Sequence, residues 1–237
     1  MKFIFVTLFP NLIKPYFEDS IMKRAIEKGL FSIEFINFRE YSLDKHKKVD
    51  DTPFGGGAGM VFSCEPLYNC LSDLKIKYPD SKIIFTTPVA KTFNQKDAKR
   101  LSLEKTIIFV NGRYEGFDER IIEEFADEVL AIGDFILSGG ELASMVMTDA
   151  IARNINGVLG NNESLEIESF ENELLEAPTF TKPKTYAKIK TSNVISEFFK
   201  GNHSIIATLK ENLAKAKTKY HRPDIYKKYQ VRKKYEK

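Results

Sequence analysis

Three glycine-rich segments are the places where backbone could close tightly on a ligand. They are Gly55-Gly56-Gly57-Ala58-Gly59, Asn111-Gly112-Arg113-Tyr114-Glu115-Gly116 and Gly133-Asp134-Phe135-Ile136-Leu137-Ser138-Gly139-Gly140. Glycine loses more conformational freedom on folding than any other residue, so four in five positions imply a close approach of ligand or backbone; a flexible surface turn is the alternative. The second and third segments each follow a strand-forming run and precede a helical one. Open α/β sheets bind ligands at that position, beyond the carboxyl ends of the strands. Two such loops in successive units predict one shared small-molecule pocket. GxGxxG and GxxxxGK[ST] are both absent, which argues against a nucleotide-dependent enzyme. Upstream of the first segment, His46-Lys47-Lys48-Val49-Asp50-Asp51 offers charges suited to phosphate and base edges.

The elements that must position these loops follow from hydrophobic patterning. Runs 2–8, 82–86, 106–110 and 127–132 are rich in β-branched and aromatic residues and predict core strands; 32–38 alternates and predicts a fifth. Helical stretches 19–28, 65–78, 94–101 and 118–125 fall between them. Alternating strands and helices imply an α/β fold with a mostly parallel sheet. The stretch 141–153 is apolar on nearly every side, so it must be buried, either under the sheet or against a second subunit. Residues 161–173 include five glutamates and few apolar residues, which reads as a linker. Helical stretches 192–200, 203–219 and 222–229 follow. The expected organisation is therefore a ligand-binding domain over 1–160, a flexible acidic linker over 161–171 and a small basic helical domain over 172–237.

Composition narrows the class. Of the 237 residues 43% are hydrophobic, enough for a sizeable core. No apolar run approaches the roughly 20 residues needed to cross a bilayer. The apolar start, Met1 to Phe9, stops at Pro10 with no small-residue cleavage site and reads as a buried strand; a cytoplasmic protein without a membrane partner is expected. Cys64 and Cys70 lack zinc-site spacing and read as reduced thiols, and no residue set reads as a metal site. The net charge of +3 conceals an asymmetry: residues 182–237 carry 16 Lys/Arg against 4 Asp/Glu, a net of +12, and the remainder a net of −9. A basic carboxyl segment on a mildly acidic body suits a polyanion, although lysine-rich helices also occur as solvated faces.

The longer motifs carry a family resemblance. Asn-Gly-Arg-Tyr-Glu-Gly-Phe-Asp-Glu-Arg at 111–120 and Ile-Gly-Asp-Phe-Ile-Leu-Ser-Gly-Gly-Glu-Leu at 132–142 resemble the signature loops of bacterial tRNA (guanine-N1)-methyltransferases. Val49 to Met60 resembles that family's amino-terminal motif. Gly157-Val158-Leu159-Gly160 and Gly201-Asn202-His203 fall where the family has them, so the likeness spans nearly the whole chain. The family's enzymes methylate N1 of the guanine at tRNA position 37, next to the anticodon, using S-adenosyl-L-methionine.

The resemblance implies a SPOUT-class fold with a deep trefoil knot formed by loops near 86–91, 111–117 and 132–140, an exception to the rule against threaded chains. It implies that backbone of Ile132, Gly133, Phe135 and Leu137 holds the adenine. Thr86, Pro88, Gly112, Tyr114 and Gly116 would line the rest, Glu115 would face the cationic end, and Asp134, Ile136, Gly139 and Gly140 complete the cradle. Side chains at 112, 139 or 140 would collide with cofactor or crossing backbone. The resemblance implies a homodimer with the active site between subunits, and tRNA contacts by His46, Asp50, Gly56, Gly57, Asn202 and His203; a capping role at the helix start is the alternative for His203. It assigns the O6-stabilising cation to Arg153 and the base to Glu168, which stands in Glu168-Ser169-Phe170 where the family has Asp-Ser-Phe. Glu163, Glu166 and Glu171 are nearby competitors. Two further departures are Thr87-Pro88-Val89-Ala90 in place of Ser-Pro-Gln-Gly, and Leu209-Lys210 in place of a Trp-Arg pair. A SPOUT enzyme acting on another RNA position and a non-catalytic RNA-binding protein are the competing readings. A requirement for Mg2+ is not decided by the sequence.

Overall fold

The computed structural model describes residues 1–160, 168–170, 172–183, 185 and 194–235. The chain divides into two compact units, Met1–Asn161 and Asn162–Lys237. Among the described residues no helix is long and apolar enough to cross a membrane.

The first unit is built on a five-stranded sheet of β1 (Lys2–Val6), β2 (Ser32–Ile36), β5 (Lys82–Thr92), β6 (Thr106–Asn111) and β7 (Glu128–Ala131), in the order β2-β1-β6-β5-β7. Every pairing is parallel. Around it lie α1 (Lys14–Phe17), α2 (Ser20–Glu27), α3 (Cys64–Lys77), α4 (Gln95–Leu101), α5 (Glu119–Phe125) and α6 (Glu141–Ala152). A parallel sheet covered on both faces gives nearly continuous apolar strands, which is why β1, β6 and the start of β5 are so legible, while the edge strand β2 alternates. Phe3, Phe5, Ile84, Ile107 and Phe109 point to one core, with Met22 of α2, Leu101 of α4 and Met147 of α6. Ile4, Val6, Ile83, Phe85 and Val110 point to the other, with Leu71 of α3 and Ile121 of α5. Each fully buried side chain of this size contributes about 1.5–3 kcal/mol.

Three features differ from the sequence expectation. The loop expected near 86–91 lies inside β5: Thr86 and Lys91 both pair opposite Leu130, so residues 87–90 bulge outward and the strand resumes. Lys91 is pinned there by Asp97 of α4 at 2.8 Å. Asp97 also closes a capping box with Asn94. Second, β3 (Asp50–Asp51) and β4 (Val61–Phe62) form a short antiparallel pair around the first glycine segment. Third, the sheet covers only one side of α6, so burial under the sheet alone does not account for its apolar surface. Ala143, Met147 and Ile151 lie in the core, while Leu142 and Val146, one turn apart, are half exposed in the single chain.

In the second unit, α7 (His203–His221) and α8 (Pro223–Tyr235) follow a 3-10 turn at Ser196–Phe199. The stretch expected to be helical over 192–200 is thus a single 3-10 turn among its described residues, and the last helix runs six residues further than expected. Thr218 is buried and links this unit together: its hydroxyl donates to the Ala214 carbonyl at 2.7 Å and accepts from the Leu175 amide at 2.8 Å. Of the expected acidic linker, residues 161–167 and 171 lie outside the described residues, and with them Glu163, Glu166 and Glu171.

Candidate functional site

The carboxyl ends of β6 and β7 and the bulge of β5 enclose a cavity of about 300 Å3. Thr86 and Pro88 line it from β5, and Gly112, Tyr114, Glu115 and Gly116 from the segment after β6. The segment after β7 contributes Ile132, Gly133, Phe135, Ile136, Leu137, Gly139 and Gly140. The structure therefore brings together every residue expected around the cofactor except Asp134, which does not line the cavity. Val89, at the departure from the family motif, lines the rim and is almost fully exposed.

Close backbone approach explains the glycine at 140. Its amide donates to the Gly112 carbonyl at 2.8 Å. A Cβ there would strike Thr86 Oγ1 and stand 3.0 Å from the Gly112 nitrogen. At 112 and 139, where a collision with cofactor or crossing backbone is expected, the nearest protein atoms are side chains rather than backbone. A Cβ on Gly112 would meet the Phe117 ring at 2.8 Å; one on Gly139 would meet Glu141 Oε2 at 2.5 Å and Arg113 Nε at 2.9 Å.

Behind Gly139 sits a buried carboxylate that sequence patterning does not single out. Glu141 Oε1 accepts from the Thr7 hydroxyl at 2.9 Å and from Arg113 Nε at 3.3 Å, while Oε2 is buried with no hydrogen-bond partner among the described residues. Arg113 is also held 4.2 Å from the centre of the Phe9 ring. Glu141 thus ties the end of β1, the 112–116 loop and the start of α6. Glu141→Gln should destabilise the first unit by about 2 kcal/mol, because a mostly buried guanidinium loses its counter-ion. Thr7→Val should lose about 1 kcal/mol. Urea unfolding followed by circular dichroism checks the order; a Thr7→Val loss equal to that of Glu141→Gln would refute the charge argument.

The first glycine segment is anchored on the second. The Glu115 amide donates to the Met60 carbonyl at 3.0 Å, and the Phe62 amide to the Gly116 carbonyl at 3.0 Å. A Cβ on Gly59 would press on the Glu115 carboxylate at 2.6 Å. Tyr114 has φ of +59°, strained for a non-glycine residue. Its ring packs edge-on against Phe62 with centroids 5.4 Å apart. Asp50 pairs with Phe62 across β3 and β4, and burial together with the Asp50 carboxylate pushes the Tyr114 phenol up. Gly56 and Gly57 are exposed, and a Cβ on either would meet nothing within 4 Å. His46 is exposed, its amide donating to Asp44 Oδ1 at 2.7 Å.

Arg153, expected to be catalytic, does not line this cavity; it caps the carboxyl end of α6. Thirteen residues at 1.5 Å rise put it about 20 Å along that helix from Gly140. There the Tyr16 hydroxyl donates to Asp149, a bond that, with burial, pushes Tyr16 up to about 12, and the Arg153 charge opposes the shift. Glu168 belongs to the second unit, where it lines a cavity of about 490 Å3 together with Leu175, Lys210 and Tyr229. Asn202 caps α7, accepting from the Ile205 amide at 3.3 Å, whereas His203 is the exposed first residue of the helix. The alternative of His203 as cap therefore does not hold, since asparagine is the far stronger cap.

Comparison with known proteins bears directly on this site. Residues 1–228 match the family model described as tRNA (Guanine-1)-methyltransferase TrmD. A protein of a Nitratiruptor species is 63% identical over 224 residues, covering 94% of this chain and 97% of its own. One from a Sulfurovum species is 59% identical over 96% of this chain and 99% of its own, and one from Campylobacter curvus is 56% identical over the full length of both. All three are named tRNA (guanine-N(1)-)-methyltransferase. With a match that begins at β1, includes all three glycine segments and ends inside α8, the chain belongs to the tRNA (guanine-N1)-methyltransferase family.

Proposed function

We propose that this protein transfers the methyl group of S-adenosyl-L-methionine to N1 of guanine in tRNA, at position 37 beside the anticodon. The observation that carries the reading is the cavity walled by three backbone segments, at a crossing that admits only glycine at 140, in a chain of this family. Such a cradle of main-chain groups fits a nucleoside cofactor: Ile132, Gly133, Phe135 and Leu137 would hold its adenine, and Glu115 would face its ammonium. Bound there, the cofactor supplies an electrophilic methyl group on a sulfonium.

What the protein must add is set by guanine itself. The neutral N1–H is a poor nucleophile, so a base has to remove its proton; we assign this to Glu168. Negative charge gathers on O6 as the proton leaves, and a guanidinium suits it; we assign Arg153. The roughly 20 Å between Arg153 and Gly140 on one rigid helix supports a homodimer in which Arg153 serves the partner's cavity. The half-exposed Leu142 and Val146 on that helix support the same arrangement. The direct contact of 140 with 112 and 86 supports a knotted crossing of these three segments. Asp50, His46, Gly56 and Gly57 would meet the target nucleotide, while Asn202, His203 and the basic helices of the second unit would meet tRNA phosphates, setting affinity rather than sequence.

Labelled methyl transfer to tRNA transcripts tests this. A transcript with guanine at position 37 should be labelled, and one differing only at that base should not. Equal labelling of both would defeat the assignment. Varying the 5′ neighbour and titrating Mg2+ in the same assay defines the base context and the metal requirement.

A further inference from the structure

We infer that Phe54 is a stacking platform for a nucleobase of the substrate tRNA adjacent to the target guanine. This inference rests on the tRNA methyltransferase reading and adds a binding residue to it. The Phe54 side chain is 100% exposed, at the start of the glycine segment between β3 and β4. Both ends of that segment are tied to the cavity wall: Asp50 pairs with Phe62, whose ring packs against Tyr114, and the Met60 carbonyl accepts from the Glu115 amide. Phe54 is three residues beyond Asp51, so it stays within about 10 Å of that anchored end. The flanking Gly55, Gly56 and Gly57 have φ of +88°, +82° and +122°, and a Cβ on any of them would meet nothing within 4 Å. The face beside the ring is therefore open, and the turn that presents it depends on glycine.

The setting of the ring selects the occupant. Lys45, Lys47 and Lys48 are exposed just upstream but are balanced by Asp44, Asp50 and Asp51, and Lys48 is paired with Asp51 at the root of the loop at 3.0 Å. A lone exposed aromatic ring with glycines beside it, on a segment tied to the cavity where the guanine must enter, suits the face of an unstacked base. It is far too small an apolar surface to seat a second protein chain.

The test compares Phe54→Ala, Phe54→Leu and Phe54→Trp in tRNA binding by filter retention and in methyl-transfer kinetics. Phe54→Ala should weaken tRNA affinity roughly 5- to 100-fold, the range for loss of one aromatic–base stack. Phe54→Trp should restore it, Phe54→Leu should not, and affinity for S-adenosylmethionine should not move. Unchanged tRNA affinity in Phe54→Ala, or full rescue by leucine, would overturn the inference. So would a shift from dimer to monomer in sedimentation, which would place a second copy on the ring. The filter measurement needs no turnover. A wild-type protein that binds tRNA but fails to methylate it would sink the activity reading while leaving Phe54 open to judgement.

Discussion

Gly140→Ala should reduce affinity for S-adenosylmethionine at least 100-fold in calorimetric titration, the largest effect expected from adding a single methyl group. The reason is contact, since φ at 140 is −77°, which alanine adopts freely. The added Cβ would overlap Thr86 Oγ1 and stand 3.0 Å from the Gly112 nitrogen and 3.2 Å from the Asn111 Cα. Thr86 cannot swing away, because it is buried in the sheet with its hydroxyl on the Val110 carbonyl at 3.2 Å. Overpacking of this kind costs about 1–3 kcal/mol even where a core can adjust, and here the atoms that must move form the cavity wall. Thr86→Ala in the same chain should recover part of the loss, leaving the backbone contacts. Gly57→Ala should leave cofactor affinity intact, because its strain at φ +122° lies in open space. The variant also tests the proposed homodimer. If Arg153 of each chain serves the partner's cavity, mixed Gly140→Ala and Arg153→Ala chains should regain activity that neither has alone, because one of the two composite sites then carries neither change. Wild-type cofactor affinity in Gly140→Ala would refute the steric argument.

The contrast between Gly140 and its neighbours shows which parts of this molecule its sequence makes legible. The central strands stand out because a doubly covered parallel sheet needs uninterrupted apolar runs such as Ile83–Phe85 and Ile107–Val110, whereas the edge strand β2 shows only an alternation. The β5 bulge does not, because Lys91 and Thr92 are polar and return to the sheet through pairing with β7 and the Asp97 ion pair. The β3–β4 pair is two residues long on each side, too short to show a period of two, yet it brings Asp50 to Tyr114. The loops that line the cavity are legible as a ligand site because glycine spacing marks close backbone approach, while the identity of the ligand comes only from the family resemblance; Asp134, adjacent to them in sequence, does not line the cavity. Glu141 gave no signal, since its partners Thr7 and Arg113 are 134 and 28 residues away. Such a contact is visible only after folding.

Glu168→Gln should lower the single-turnover methylation rate by roughly 100- to 10,000-fold, the range for removal of a general base, while tRNA and cofactor affinities stay near wild type. Glutamine keeps the size and the acceptor oxygen of glutamate but cannot take the N1 proton, so the experiment isolates proton transfer from positioning. Glu168→Asp restores the family's residue with a side chain shorter by one methylene. Productive geometry is sensitive to displacements of roughly 1 Å, and a base placed for the longer side chain loses reach when that methylene is removed. Glu168→Asp should therefore fall between wild type and Glu168→Gln. The neighbouring carboxylates provide the control: Glu163→Gln, Glu166→Gln and Glu171→Gln should each stay within a few-fold of wild type. If one of them falls as far as Glu168→Gln is expected to, that residue is the base; if all four variants remain active, the proton leaves to solvent and the linker carboxylates serve only to position tRNA.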